Sequence, residues 1–319
     1  MAIKVRDYEV RLVRNKDERR QVRQLRYDVY VEEEGAAATE EQKQLREEYD
    51  EFDRYAAYMG VFHKGVLVGT YRIITREAAE KMGGFYTETE FNISKIKKVK
   101  GKIAEMSRAC VRKDYRENSL VMRMLWMGLG GYIAKNKISL LFGMVSWVGT
   151  KPVESAHALS YLYYKHLAPL SLRPTVLVDQ LADNIDPRLA RMNILPEAFV
   201  DEELAWKQMT PMAKGYLRLG GTFGKGVFIH EEFNDYSICL VLQTKNIAAA
   251  YQKHFAGSET AFENLGLKDG IFKTLGKIMI SPITVPFKVL KTLADFFLRE
   301  DADDLEITED PKPEETDGK

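Results

Sequence analysis

The sequence predicts one α/β domain built on a mixed β-sheet, followed by a helical appendage and an acidic tail. Three observations carry this. Segments with strand and helix periodicity follow one another in the order β-α-β-β-α-β-α-β-α-β, which does not alternate strictly enough for an all-parallel sheet. Residues 139–148 are almost wholly apolar, as expected of a strand buried on both faces at the centre of a sheet. The chain has 319 residues, 45% hydrophobic and 29% charged, which supplies a core beneath a solvated surface.

Residues 8–13 read as the first strand, and Asn15 as the cap of a charged helix over 17–33. Residues 36–54 are polar and acidic and end in Asp50-Glu-Phe-Asp53. Two apolar runs, 57–63 and 66–74, flank Lys64-Gly65 and read as a hairpin. After a helix and a lysine-rich stretch, 103–111 reads as a strand, 117–135 as a long helix, 139–148 as the central strand, 154–167 as a helix and 174–179 as a strand. Residues 183–210 give no clear pattern. A short helix over 211–219 leads through a glycine-rich turn into strands near 226–230 and 236–244.

Composition narrows the function class. Lys plus Arg and Asp plus Glu number 47 each, so the net charge is zero, which argues against a dedicated nucleic-acid binder. Two cysteines, Cys110 and Cys239, make neither a disulfide framework nor a zinc site, and no resident metal or cofactor is expected. The first residues lack the apolar stretch of a signal peptide, and no run of about 18 uncharged apolar residues occurs, so a cytoplasmic protein without a membrane span is expected. There is no Gly-x-Ser-x-Gly motif, which removes an α/β-hydrolase reading. Gly220 to Gly226 misses the spacing of a phosphate-binding loop and reads as a turn, and Cys110 reads as a buried thiol.

Several short motifs stand in order. They are Arg26-x-x-x-Tyr30, the pair Asp50 and Asp53 around Phe52, Gly69-Thr-Tyr-Arg72, Phe85 and Glu105-Met-Ser-Arg108. Together they resemble the acyl-homoserine-lactone synthases of the GNAT superfamily. Further along stand Asp114-Tyr-Arg116, Leu125-Trp126-x-Gly128, Leu141-Phe-Gly143-x-x-Ser146, Lys214-Gly-Tyr-Leu-Arg-Leu-Gly220 and Glu232-Phe-Asn234. With these, residues 8–256 resemble the ornithine-lipid N-acyltransferase family. The resemblance implies a GNAT-like α/β fold over residues 1–256. It also implies transfer of a 3-hydroxyacyl group from acyl carrier protein to the α-amine of an amino acid such as ornithine, giving a lyso-lipid.

That chemistry assigns expected roles. An amine attacks a thioester only as the free base, so a carboxylate must take its proton. Glu105, in mid-strand where a GNAT sheet splays, is the expected general base, directly or through water; a brace on Arg72 or Arg108 is the other reading of the same residue. Asp50 and Asp53 are expected to bind the acceptor ammonium, and Arg72 and Arg108 its carboxylate through bidentate hydrogen bonds; an acidic surface turn is the plainer reading of the aspartates. Arg26 joins this substrate set, although its charged helix reads as a solvated face. Ser107 is expected to donate to the thioester or substrate, or to be a small core residue.

The donor site departs from the coenzyme A pattern. Where that pattern has glycines, this chain has Arg116-Glu-Asn-Ser119-Leu-Val121, so the backbone approaches a pyrophosphate less easily. Acyl carrier protein brings one phosphate and an acidic surface, and is preferred to acyl-coenzyme A. Arg112, Arg116 and Arg123, with Lys113, are the expected docking residues; the lysines from 95 to 102 read better as a solvated run. Met122, Met124, Trp126, Met127, Phe142, Met144 and Trp147 suit an acyl tunnel or plain core.

Residues 257–300 form the appendage. From Pro286, Phe287, Val289, Leu290, Leu293, Phe296 and Phe297 would share one helical face and lysines the other, the pattern of a helix lying peripherally on the inner face of the cytoplasmic membrane. Residues 301–319, with nine acidic residues and two lysines, read as a disordered tail. Two rivals share parts of this reading: a signal synthase that acylates and lactonises S-adenosylmethionine, and a non-catalytic membrane-associated GNAT scaffold.

Overall fold

The computed structural model describes residues 2–117, 120–247 and 305–308, the last as backbone. Among the described residues twelve strands form: β1 Ala2–Val5, β2 Tyr8–Leu12, β3 Ala57–His63, β4 Val66–Thr75, β5 Phe91–Asn92, β6 Lys102–Val111, β7 Ile138–Val148, β8 Thr175–Val176, β9 Thr222–Phe223, β10 Phe228–His230, β11 Asp235–Gln243 and β12 Leu305–Thr308. The helices are α1 Lys16–Arg26, α2 Glu40–Leu45, α3 Arg76–Met82, α4 Ser94–Lys97, α5 Leu120–Asn136, α6 Ala156–Lys165, α7 Glu202–Gln208 and α8 Pro211–Arg218.

Ten strands make one sheet in the order β10-β11-β7-β6-β4-β3-β2-β1-β12, with β9 pairing on β11, and β5 pairs with β8 separately. Among the described strands of the large sheet, only β6 and β7 run parallel; the other pairs are antiparallel. This is the mixed GNAT-like sheet that the sequence predicts. The central strands are buried because both sheet faces are covered. In β3, Tyr58 turns to the α1 side, where Arg19 lies over its ring, while Met59 turns to α5, where a Cβ on Gly128 would lie 2.7 Å from its sulfur. Gly128 is therefore a packing glycine, as expected of a glycine inside a helix.

Local signals behave as their chemistry dictates. Asn15 caps α1 by accepting from the Glu18 amide, and the Lys64-Gly65 turn has both φ angles positive, the geometry that matches strand twist in a two-residue hairpin. The expected helix over 17–33 is α-helical only to Arg26; Tyr27–Glu33 widens into a π-helical segment. The strand expected over 174–179 shortens to Thr175–Val176. Strand β1 has no counterpart in the sequence reading. Leu305–Thr308, inside the tail read as disordered, pairs antiparallel with β1, from Ala2↔Thr308 to Val5↔Leu305. The Leu-Glu-Ile-Thr alternation has strand periodicity, and β1 offers an open edge to extend. The amphipathic segment from Pro286 lies outside the described residues. Among the described residues no helix is long and apolar enough to cross a membrane.

Candidate active site

The site begins where β6 and β7 part. Their parallel register runs from Lys102↔Ile138 to Glu105↔Phe142 and stops. Beyond it β6 continues along β4 to Val111, and β7 continues along β11 to Val148. Two features hold the strands apart. A Cβ at Gly143 would lie 2.1 Å from the Met106 carbonyl oxygen, so only glycine fits at the branch point. In β6, Arg108 has φ +51°, and Arg108 and Ala109 together oppose the single residue Tyr71 of β4. That is a bulge, which turns the Arg108 side chain out of the ladder.

The opening holds a cavity of about 270 Å3. Ser107, Arg108 and Ala109 of β6 line one wall, and Met144, Val145, Ser146 and Val148 of β7 line the other. Tyr30 and Glu34, from and just after the π-helical segment, and Tyr71 of β4 contribute as well. The Tyr30 hydroxyl donates to the Ala109 carbonyl at 3.0 Å, tying the widened helix to the bulge. The segment 85–90 straps over the sheet: the Thr87 amide donates to Glu105 Oε2 at 2.9 Å on β6, and Glu90 accepts from the Ser237 hydroxyl at 2.7 Å on β11.

Of the residues assigned from sequence, Ser107 and Arg108 line the cavity. Arg26, Asp50, Asp53 and Arg72 stand behind its wall in a buried charge network. Arg26 donates through Nε to Glu48 and through Nη1 to both Asp53 oxygens, at 2.8 and 2.9 Å. Arg72 donates through Nη1 to Asp50 and Asp53, at 2.5 and 2.8 Å, and through Nε to the Ser107 hydroxyl at 3.0 Å. Arg108 reaches Asp50 at 3.2 Å. Three guanidinium groups thus face Glu48, Asp50 and Asp53, a balanced set that can be taken out of water because each charge has partners. The aspartates' spacing has its own local cause: Asp50 caps the turn by accepting from the Phe52 amide, and Asp53 accepts in return from the Asp50 amide.

Arg26 corrects the reading as a solvated face: its side chain is 0% exposed. It lies on the inner side of α1 with Val22 and Leu25. Burial opposes the Asp53 charge, but Arg26 and Arg72 outweigh it and hold the carboxyl well below the usual range. Glu105 is wholly buried, and burial pushes its carboxyl up against the opposing pull of Arg72 and the Thr87 hydrogen bond. It is not on the cavity surface; Ser107, two residues further along β6, is. Cys110 is buried as expected, and its thiol is pushed up to about 12, so it carries no nucleophilic role.

Arg112 continues β6, with its amide bonded to Val68, and Arg116 donates to the Val111 carbonyl and to Glu33, each at 2.8 Å. Arg123 lies half-buried in α5. All three therefore fall between the outer end of β6 and the start of α5. Of the aromatics and methionines considered for a tunnel, Met144 lines the cavity, while Met124, Met127, Phe142 and Trp147 are core. The Lys214–Gly220 motif turns out to be about packing. A Cβ at Gly215 would lie 2.8 Å from the Trp126 ring, and the Tyr216 hydroxyl meets that of Tyr71 at 2.7 Å.

Sequence reasoning missed the far wall. Glu90, His230, Asp235 and Ser237 line it, with His230 Nε2 3.1 Å from Glu90 Oε1 and Nδ1 3.3 Å from Asp235 Oδ1. Burial opposes charge on His230, yet its bonds to Asp235 and Glu90 hold its pKa up to about 9. One signal was present: His230 and Asp235 bracket the Glu232-Phe-Asn234 motif.

Comparison with known proteins agrees with this architecture. A family model described as an acetyltransferase (GNAT) domain matches residues 25–127, the span from the Arg26 network into α5. The L-ornithine N(alpha)-acyltransferase of Rhodobacter capsulatus is 30% identical over 262 residues, covering 80% of this chain and 97% of that protein. The enzyme of the same name from Agrobacterium fabrum is 31% identical over 258 residues, covering 78% and 85%. Among solved structures, an N-acyl amino acid synthase from uncultured soil microbes aligns over 76% of this chain and 94% of its own at 13% identity, with a TM-score of 0.42. A GNAT-like sheet opened over a polar cavity, and this extent of shared sequence, make the chain an N-acyltransferase that belongs to the L-ornithine N(alpha)-acyltransferase family.

Proposed function

We propose that this chain transfers a 3-hydroxyacyl group from the thioester of acyl carrier protein to the α-amine of ornithine, or of a similar amino acid, to give a lyso-aminolipid. The observation that carries the reading is the charge layout of the cavity between β6 and β7. Arg108 stands on one wall, and Glu34, Glu90 and Asp235 supply negative charge around the rest. An amino-acid zwitterion matches that layout, with its carboxylate toward Arg108 and its ammonium toward the acids. A diamino acid adds a second cation, and the relatives' names point to ornithine. Asp50, Asp53, Arg72 and Arg26 act in this reading by fixing Arg108 and Ser107 rather than by touching substrate. Ser107, held by the Arg72 guanidinium, orients the reacting groups.

The donor assignment is supported by the missing glycines between Arg116 and Val121, and by the cations Arg112, Arg116 and Arg123. The pattern from Pro286 to Arg299 supports peripheral association with an anionic inner membrane surface, where an amphiphilic product would be released. The test is direct. The purified full chain is incubated with ornithine and either 3-hydroxyacyl carrier protein or 3-hydroxyacyl-coenzyme A, and products are read by mass spectrometry. N-acylornithine from the carrier protein is expected. Product from coenzyme A alone overturns the donor, and no product with ornithine, lysine, glutamine or glycine overturns the reaction.

A further inference from the structure

Acyl transfer to an amine needs a group on the cavity surface that takes a proton from the acceptor ammonium. Glu105 does not meet that need directly. It is wholly buried, one oxygen receives the Thr87 amide, and it does not line the cavity. The far wall supplies another group. We propose that Glu90, acting with His230 and Asp235, is the proton acceptor for the attacking amine. This rests on the acyl-transfer reading above.

The geometry favours it. Glu90 lines the cavity and yet is only 1% exposed, so its charge stands in a nearly dry site. Ser237 donates to its Oε2 at 2.7 Å and His230 Nε2 lies 3.1 Å from its Oε1, which fixes the carboxylate in place. Asp235 stands on the other side of the same imidazole, 3.3 Å from Nδ1. Two carboxylates share one imidazole. Even with His230 protonated the cluster keeps one excess negative charge, and accepting one proton removes it. The position of Glu90 is set by backbone as well: its carbonyl accepts from the Leu177 amide at 2.8 Å, beside the β5–β8 pair.

The step balances as follows. The ammonium gives one proton to the cluster, and the freed lone pair forms the C–N bond at the thioester carbonyl. The C–S bond breaks with its electron pair on sulfur, which takes the second nitrogen proton. The proton on the cluster returns to water. Thioester and ammonium become amide, thiol and one proton.

The test compares Glu90→Gln, His230→Gln and Glu105→Gln in the full chain, each checked for its unfolding midpoint, with two acceptors. One acceptor is ornithine. The other is an aminooxy acid, whose weakly basic amine is already uncharged at neutral pH and has less need of a base. For Glu90→Gln, kcat with ornithine is expected to fall about 100-fold, while the loss with the aminooxy acid stays below about tenfold. His230→Gln is expected to show the same selectivity, which keeps the test open if Glu90→Gln does not fold. Glu105→Gln is expected to lose both activities alike. The proposal is overturned if Glu90→Gln keeps wild-type kcat within about threefold, if both acceptors suffer equally, or if Glu105→Gln alone shows the selective loss. Wild-type protein that acylates neither acceptor overturns the acyl-transfer reading, and the proposal with it.

Discussion

Gly143 of β7 sits so close to Met106 of β6 that a Cβ on it would lie 2.1 Å from the Met106 carbonyl oxygen. The contact falls one residue past the last paired position, Glu105↔Phe142, where the two parallel strands begin to part. The cavity exists because backbone meets backbone there and pairing cannot continue.

Gly143→Ala is therefore expected to be among the most damaging single-methyl additions to the sheet. No rotamer relieves a clash with backbone, so the strands must move. A loss of about 3 kcal/mol, read from the urea midpoint, is expected together with loss of turnover. Unchanged stability would mean that the splay tolerates a wider gap.

Asp53→Asn should unbalance the buried network. Arg26 and Arg72 are each 0% exposed and would share one fewer carboxylate, an expected loss of about 3–5 kcal/mol at neutral pH. Because the Asp53 pKa is depressed in the fold, its contribution is complete above the ordinary Asp value of about 3.9 and is lost as pH falls through the folded value. The gap between wild type and variant should narrow on acidification; a gap that stays constant to low pH contradicts this.

His230 gives the opposite dependence. Its folded pKa, about 9, lies above the unfolded value of about 6.5, so its ion pairing stabilises fully below the unfolded value and fades as pH rises through the folded one. Wild-type unfolding free energy should decline across that window, while His230→Gln stays flat. Parallel profiles would show that the imidazole is uncharged in the fold.

Arg108→Lys tests the proposed carboxylate contact. The guanidinium stacks 4.5 Å from the Tyr86 ring centre and 4.7 Å from that of Phe233, and it also reaches Asp50. A lysine keeps the charge but loses the planar fork and the stacking. KM for the amino-acid acceptor should rise about tenfold or more with kcat less affected. A fall in kcat at constant KM would place Arg108 in the chemistry instead of in binding.

The sequence by itself determined the fold class, the order of most elements and the identity of the charged set. Those are local properties: the Lys64-Gly65 hairpin, the Asn15 cap, the apolar run of β7 and the Asp50–Asp53 turn each announce themselves within a few residues. Only the tertiary structure decided what those charges do. Arg26 reads as solvated along the chain because nothing local shows that Glu48 and Asp53 fold back onto it. Glu90 and His230 come from a strap and a short strand far apart in the chain, so no periodicity links them. Strand β12 stayed hidden for the same reason, since an edge strand needs its partner, β1, before four residues of an acidic tail count as a strand. Pairing across long sequence separations depends on which surfaces the core brings together, and that is settled by packing, not by local preference.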